Sequence, residues 1–357
     1  MSDNNDLNSA LAGLFNAIST DKPKKGKAPA RAAKKPGLER IGAAPLAKAS
    51  KQLARRGAPM LEAVRLTKPK TEAAHRKLAA LSALANSTEP PAIGYVLRLM
   101  TMCSLPHSDP GKDVPEIVKR NGKYTLHIQP DPRHGYPYGI YPRLIMAYLT
   151  QEVQKRKQRT ISLNDSVSAF MRELGITPHW GRKGSVPALV EQMLRLFSAR
   201  IYVEETGRNF ERRRNADVAH EYQLWWTSKD EELDAKQPAF PSSVTLGETL
   251  YEEMLNHPIP FDKRLLAEIK DSALGVDLYW WLTWRVSYMQ KVTVISWREL
   301  AEQLGADYSD PKEFARQARK QLARIHAVWR GLSYDTIRGR LKLNPCTPHV
   351  PMLKGPE

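Results

Sequence analysis

Two short segments, far apart in the chain, carry one pattern. In SVSAFMRELG, Val167, Phe170, Met171 and Leu174 fall at i, i+3, i+4 and i+7, and Gly175 follows. In WRELAEQLG, Trp297, Leu300, Ala301 and Leu304 repeat the spacing, and Gly305 follows. Such spacing puts one apolar stripe on a helix, and a glycine directly after it is a C-terminal stop. After each segment come a break, a longer amphipathic stretch, and paired strand-like runs studded with Arg and Lys. Helix, turn, helix, basic hairpin is the layout of a winged helix, and it occurs twice. The expectation is therefore an α+β protein with two tandem winged-helix domains, at 91–245 and 246–345. A basic, largely disordered extension, 1–90, precedes them, and a tail, 346–357, follows.

Local signals fill in the elements. Residues 93–102 and 122–129 read as strands split by a Pro-rich loop at 105–115. Residues 142–157 read as a helix with Leu144, Ala147, Tyr148 and Val153 inward, and TISL as a strand. Asn164 or Asp165 is placed to cap the first repeated helix. The next helix, about 185–199, turns Val186, Leu189, Val190, Met193 and Phe197 inward and Ser185, Gln192 and Arg195 outward. RIYVEE and VAHEYQLWW then form a hairpin through GRNFERRRNAD. In the second half, helices span about 247–290, with Tyr279, Trp280, Trp284 and Val286 as core. VTVIS is a strand, and Ser296 with Glu299 makes a capping box. Asp310 caps the helix at 311–327, Pro311 takes its first position, and Glu313 is placed to close a second box. Phe314, Ala318, Leu322 and Ile325 form its inner face. GLSYDTI and GRLKLN make the last hairpin.

Charge selects the partner. The 357 residues hold 55 Lys and Arg against 38 Asp and Glu, a net charge of +17. That points to a polyanion, nucleic acid before an anionic membrane surface. Residues 1–90 carry 17 of the cations and only 7 of the anions. Within them, 21–58 is too poor in apolar residues to bury a core. Residues 70–86 look helical through Leu78, Leu81 and Leu84, with no evident packing partner. Leu7, Leu11, Leu14, Phe15 and Ile18 fit either a short helix that orders on a partner or a frayed terminus. Two distant cysteines, Cys103 and Cys346, suit a reducing compartment. With no long apolar run and a polar, acidic N-terminus, the expectation is a soluble cytoplasmic protein.

The candidate DNA-binding residues follow from these placements. Lys312, Arg316, Arg319 and Lys320 lie on the outer face of the last long helix. Arg and Lys on a helix in the major groove can bond guanine O6 and N7. Arg182, Lys183, Ser185, Gln192 and Arg195 are the counterparts in the first unit. Arg208, Arg212, Arg213 and Arg214 form one phosphate-gripping wing, and Arg338, Arg340 and Lys342 the other. Catalytic signals are weak. The chain has no P-loop, no H-E-x-x-H and no Cys/His quartet, so neither cofactor nor metal is expected. His127, His134 and Asp131 lack the spacing of a nuclease site. Tyr138 and Tyr141, beside Pro142, read as packing residues rather than nucleophiles.

Several blocks, in order, resemble one family. They are MCSLPHSDP, RNGKYTLHI, YPYGIYPRLIMAYLTQEVQ, ISLNDSVSAFMRELGI, VEQMLRLFSARI, VDLYWWLTWRV and ISWRELAEQLGADY, spread over about 93–345. The chain resembles the RepA-type plasmid replication initiators. The resemblance implies two winged helices that bind directly repeated double-stranded DNA at a plasmid origin and help to open it. It also implies recruitment of the host initiator and replicative helicase, a possible self-dimer that represses its own synthesis, and residence on plasmid DNA in the bacterial cytoplasm. Two other readings stay open: a winged-helix transcriptional regulator with the same residues, and a replication nickase or primase. LAGLF near the N-terminus lacks the leading Gln of a sliding-clamp peptide.

Overall fold

Each repeated helix ends as its sequence requires. In the computed structural model α4 (Val167–Glu173) is followed by Gly175 at φ +69°, and α9 (Trp297–Gln303) by Gly305 at φ +65°. The first helix closes with Ile176 N–H donating to the Met171 carbonyl and Gly175 N–H to that of Arg172. In the second, Ala306 N–H donates to Ala301 and Gly305 N–H to Glu302. Both are Schellman closures, and both use the left-handed conformation that glycine adopts without penalty. Ser296 and Glu299 make the expected capping box. The cap of α4 is Ser166, whose side chain accepts from Ala169 N–H. Asn164, one of the two expected caps, instead bonds Glu173, and the other, Asp165, lies outside the described residues.

The structure describes residues 59–67, 71–224 and 242–351, apart from Leu61, Lys112, Asp165, Asp307 and Ser309. The expectations for residues 1–58 lie outside them. Residues 51–357 cluster as one unit. Within it α1 (Glu72–Ala85) has the partners its sequence did not reveal. It packs on α10 (Pro311–Val328) and α7 (Lys263–Ile269), burying Leu78 and Leu81. The last part of the extension is thus folded.

The same series of elements occurs twice. The first is α3 (Ile140–Arg156), β4 (Thr160–Ser162), α4, α5 (Ser185–Ser198), β7 (Ala219–Gln223) and β8 (Ser243–Leu246). The second is α8 (Ala273–Tyr288), β10 (Thr293–Ser296), α9, α10, β11 (Tyr334–Ile337) and β12 (Arg340–Leu343). Each has a three-stranded antiparallel sheet in which the last strand lies between the other two: β4-β8-β7 and β10-β12-β11. The opening helices are core, with Leu144–Thr150 of α3 and Leu274–Thr283 of α8 buried.

Other elements tie the two series together. β1 (Ile93–Leu97) pairs antiparallel with β9 (Pro258–Asp262), so strand pairing crosses residue 246. The run expected as one strand over 93–102 breaks at Leu97 into the short helix α2 (Arg98–Met102). β2 (Ile117–Asn121), β3 (Tyr124–Gln129), β5 (Arg200–Thr206) and β6 (Glu211–Asn215) form a separate four-stranded sheet. α6 (Glu248–Asn256) leads into β9.

Beneath these elements lies a buried ion pair. Arg143 on α3 and Asp277 on α8 have no exposed side-chain surface. The guanidinium meets the carboxylate through Nε to Oδ1 at 2.7 Å and Nη2 to Oδ2 at 2.7 Å. It also donates to the carbonyls of Leu105, Pro106 and Gly139. Ser104 Oγ donates to Asp277 Oδ2 at 2.6 Å, and His107 Nε2 lies 2.8 Å from it. A buried pair is tolerable when its remaining hydrogen-bonding capacity is filled in this way. The residues after Cys346 are no loose tail at their start. His349 stacks on Trp329 and bonds the Tyr279 hydroxyl at 2.7 Å, and Val350 is buried.

Candidate nucleic-acid interface

Helix α10 is half core and half surface. Asp310 caps it by accepting from Lys312 N–H at 2.8 Å, and Pro311 occupies the first turn. Phe314, Ala315, Ala318, Leu322 and Ile325 face inward as their spacing predicts. Beyond Lys320 the helix is enclosed, with Gln321, Ala323 and Arg324 buried as well. The cationic positions therefore occupy its N-terminal half. Lys312 and Arg316 are exposed, and Arg319 and Lys320 are half-buried. Arg319 lies over the Trp297 ring, 5.4 Å from its centroid. The second capping box does not close. Glu313 turns along the helix to Arg316, at 2.6 and 2.8 Å, and to Gln317. The Arg316 and Gln317 hydrogen bonds hold its carboxyl at about 2.

The hairpin after α10 turns through Arg338 and Gly339, with Gly339 at φ +71°. Trp297 N–H donates to the Gly339 carbonyl, so the turn is fastened to the head of α9. Arg338 and Arg340 are exposed. Lys342 faces Asp335 across the strands at 3.4 Å.

The first series is different. Gln192, expected outward, is 5% exposed and accepts from Tyr138 N–H at 2.9 Å. Arg195, also expected outward, is held by Asp109, Glu191 and the Tyr136 carbonyl and lies over the Tyr138 ring. Ser185 Oγ accepts from His179 N–H and donates to the Thr177 carbonyl, closing the turn before α5. The physical reason is common to all three. Segment 136–139 and the loop at 177–185 fold against α5 and use its polar side chains as partners. What α5 leaves exposed is Pro187 and Glu191, so the helix presents no cationic face. Arg182 and Lys183, in the preceding turn, remain exposed.

The arginine-rich hairpin is also placed differently. RIYVEE pairs with ERRRN, not with VAHEYQLWW, and the turn closes through Gly207 N–H to the Phe210 carbonyl. The partner of β7 is β8. The cluster thus belongs to the four-stranded sheet, and the first series turns instead through 224–242, of which 225–241 lie outside the described residues. Arg208, Arg212, Arg213 and Arg214 are all exposed, and Arg213 lies 3.5 Å over the Tyr202 ring. β6 is an edge strand, and charge on an edge also blocks further strand pairing.

His127 is packed against Tyr202 between Glu116 and Glu204, and Asp131 bonds Arg133. Among the described residues no group of His, Cys, Asp and Glu is arranged to hold a metal ion. No described helix is long and apolar enough to cross a membrane. Trp284, expected in the core with Tyr279 and Trp280, instead emerges half-buried at the end of α8 beside exposed Tyr288. Their i, i+4 spacing beyond the buried turns was the available signal.

The family described as plasmid encoded RepA protein matches residues 136–299. Over that span the chain is similar to the RepA-type plasmid replication proteins. The match covers the first series and continues through α8 to the head of α9. It stops short of α10 and the final hairpin. No curated protein and no solved structure matches the chain.

Proposed function

We propose that this protein is a RepA-type plasmid replication initiator that binds directly repeated duplex DNA at the origin. Each helix–strand–helix–helix–strand–strand series is read as a winged helix, in tandem. The second is the groove reader: the exposed half of α10 enters a major groove through Lys312, Arg316, Arg319 and Lys320. Arg338, Arg340 and Lys342 on the hairpin grip neighbouring phosphates. Arg182, Lys183, Arg208 in the β5–β6 turn and the β6 arginines Arg212, Arg213 and Arg214 add backbone contacts. Ser185, Gln192 and Arg195 drop out of the contact set, because their polar atoms are already bonded within the fold. The protein acts in the bacterial cytoplasm by binding rather than by catalysis, and it helps to open the origin and bring in host replication proteins.

The observation that carries this reading is the split of α10. Its cations sit on the N-terminal half, the part that reaches base edges when such a helix docks. The test is binding of the full chain to duplexes taken from beside its own coding region. Arg316→Ala or Lys312→Ala is expected to cost about 1–3 kcal/mol and to relax preference at one base position. Unchanged affinity and preference in both variants would overturn the assignment.

A further inference from the structure

The four-stranded sheet belongs to neither winged-helix series, yet it forms one wall of a crevice. The opposite wall is the end of α8. Trp284 and Tyr288 form a tilted aromatic pair there, with ring centroids 5.0 Å apart. Tyr288 is 48% exposed, unusual for a ring with no structural need to face water. Arg285 steadies it, donating to its hydroxyl at 2.6 Å and lying against its ring. Across the gap stand Tyr124 and Lys123, at the β2–β3 turn, and Arg98 from α2. The crevice has a volume of about 430 Å³, and no carboxylate lines it. Gly122 forms the turn at φ +60° with open space where a Cβ would lie, so the mouth is clear.

The cations are held in place from behind. Arg98 makes two hydrogen bonds to Glu253, at 2.9 and 3.2 Å, and Lys123 bonds Glu205. A smaller, mostly apolar recess shares Arg98, Met102 and Tyr124 with the crevice and reaches Arg214 on β6, with Glu253 in its lining. The result is a pair of positioned cations, each ion-paired to a carboxylate outside the crevice, with aromatic rings beside them.

We propose that this crevice binds an unpaired strand of DNA, with a base stacked on Tyr288 and Trp284 and phosphates on Lys123 and Arg98. Exposed rings among cations favour a planar group joined to an anion. A base within a duplex is covered on both faces by its neighbours, so only an unpaired one can stack on a protein ring. Such stacking tolerates any base, and a positive groove tracks the backbone. The mouth is clear at Gly122, so a chain can run on beyond the crevice, which favours a strand over a free nucleotide. The proposal rests on reading the chain as a DNA-binding initiator, since unpaired DNA arises where an origin opens.

The test uses the full chain and a labelled oligodeoxythymidylate of about 15 nucleotides, with the duplex repeat measured in parallel. Tyr288→Ala and Lys123→Glu are each expected to weaken oligonucleotide binding about tenfold. Tyr288→Phe is expected to retain it, and duplex binding is expected to stay within about twofold throughout. A bromodeoxyuridine oligonucleotide is expected to crosslink to the peptide holding Trp284 and Tyr288. Oligonucleotide binding unchanged in both variants, or crosslinks only elsewhere, would overturn the proposal. So would equal competition by a mononucleotide, which would make the crevice a nucleotide site, or tighter binding of the matching oligoribonucleotide. Failure of the initiator reading is a separate result: wild-type protein that does not hold the duplex repeat.

Discussion

Asp277 carries its charge with no exposed side-chain surface. Burial alone raises a carboxyl's pKa, but the Arg143 guanidinium and the hydrogen bonds from His107 and Arg143 more than offset it, so Asp277 lies below its usual 3.8. The stabilisation is present above that ordinary value and fades as pH falls below it. Removing one partner leaves the other buried and unpaired. Asp277→Asn is expected to cost about 3–5 kcal/mol in urea denaturation, and a double replacement by apolar residues, Arg143→Met with Asp277→Leu, is expected to recover much of it. His349 works in the opposite sense of charge. Burial lowers it from 6.5 to about 4, so it stays neutral in the fold while the unfolded chain takes up a proton. Stability therefore falls as pH drops from 6.5 to 4, by up to about 3 kcal/mol. The difference in urea midpoint between wild type and His349→Phe, compared at pH 7.5 and 4.5, measures that share. It is expected to shrink at the lower pH, and a constant difference would refute the argument.

Helices α4 and α9 show what a local signal can carry. Their stripes and glycine stops were legible because both depend on residues within two turns. Strands were less so. β1 and β9 pair across more than 160 positions, and nothing local announces that. The arginine-rich hairpin had two plausible partner runs, and the sheet took the nearer one. Gln192 was misread for a similar reason: its position on the helix is fixed locally, but its bond to Tyr138 is tertiary. The two stops also differ in surroundings. A Cβ on Gly305 would lie 2.8 Å from the Leu105 carbonyl oxygen, whereas one on Gly175 would meet only the tip of Lys270, at 3.1 Å. Both replacements incur the left-handed penalty of about 1–2 kcal/mol. Gly305→Ala is expected to exceed Gly175→Ala in denaturation, because backbone yields less than a lysine tip. Equal losses would mean that segment 104–105 shifts freely.

At the scale of the whole molecule, charge and architecture divide the work. The cationic positions of α10, the last hairpin and the β6 edge are spread over one folded unit, while residues 1–58 add 12 Lys and Arg against 4 Asp and Glu. Counterion release makes binding fall with salt at a slope of about 0.9 per neutralised phosphate. Deleting residues 1–58 is expected to flatten the slope for non-specific duplex while leaving preference for the repeats intact. A slope that does not move would take the extension off the DNA. The paired series also differ in one dimension. Where the second reverses its last two strands over Arg338 and Gly339 alone, the first has the whole of 224–242 between β7 and β8. Lengthening a connection that is already long adds little closure entropy. That stretch is therefore the natural place to graft an epitope or a fluorophore with both three-stranded sheets left undisturbed.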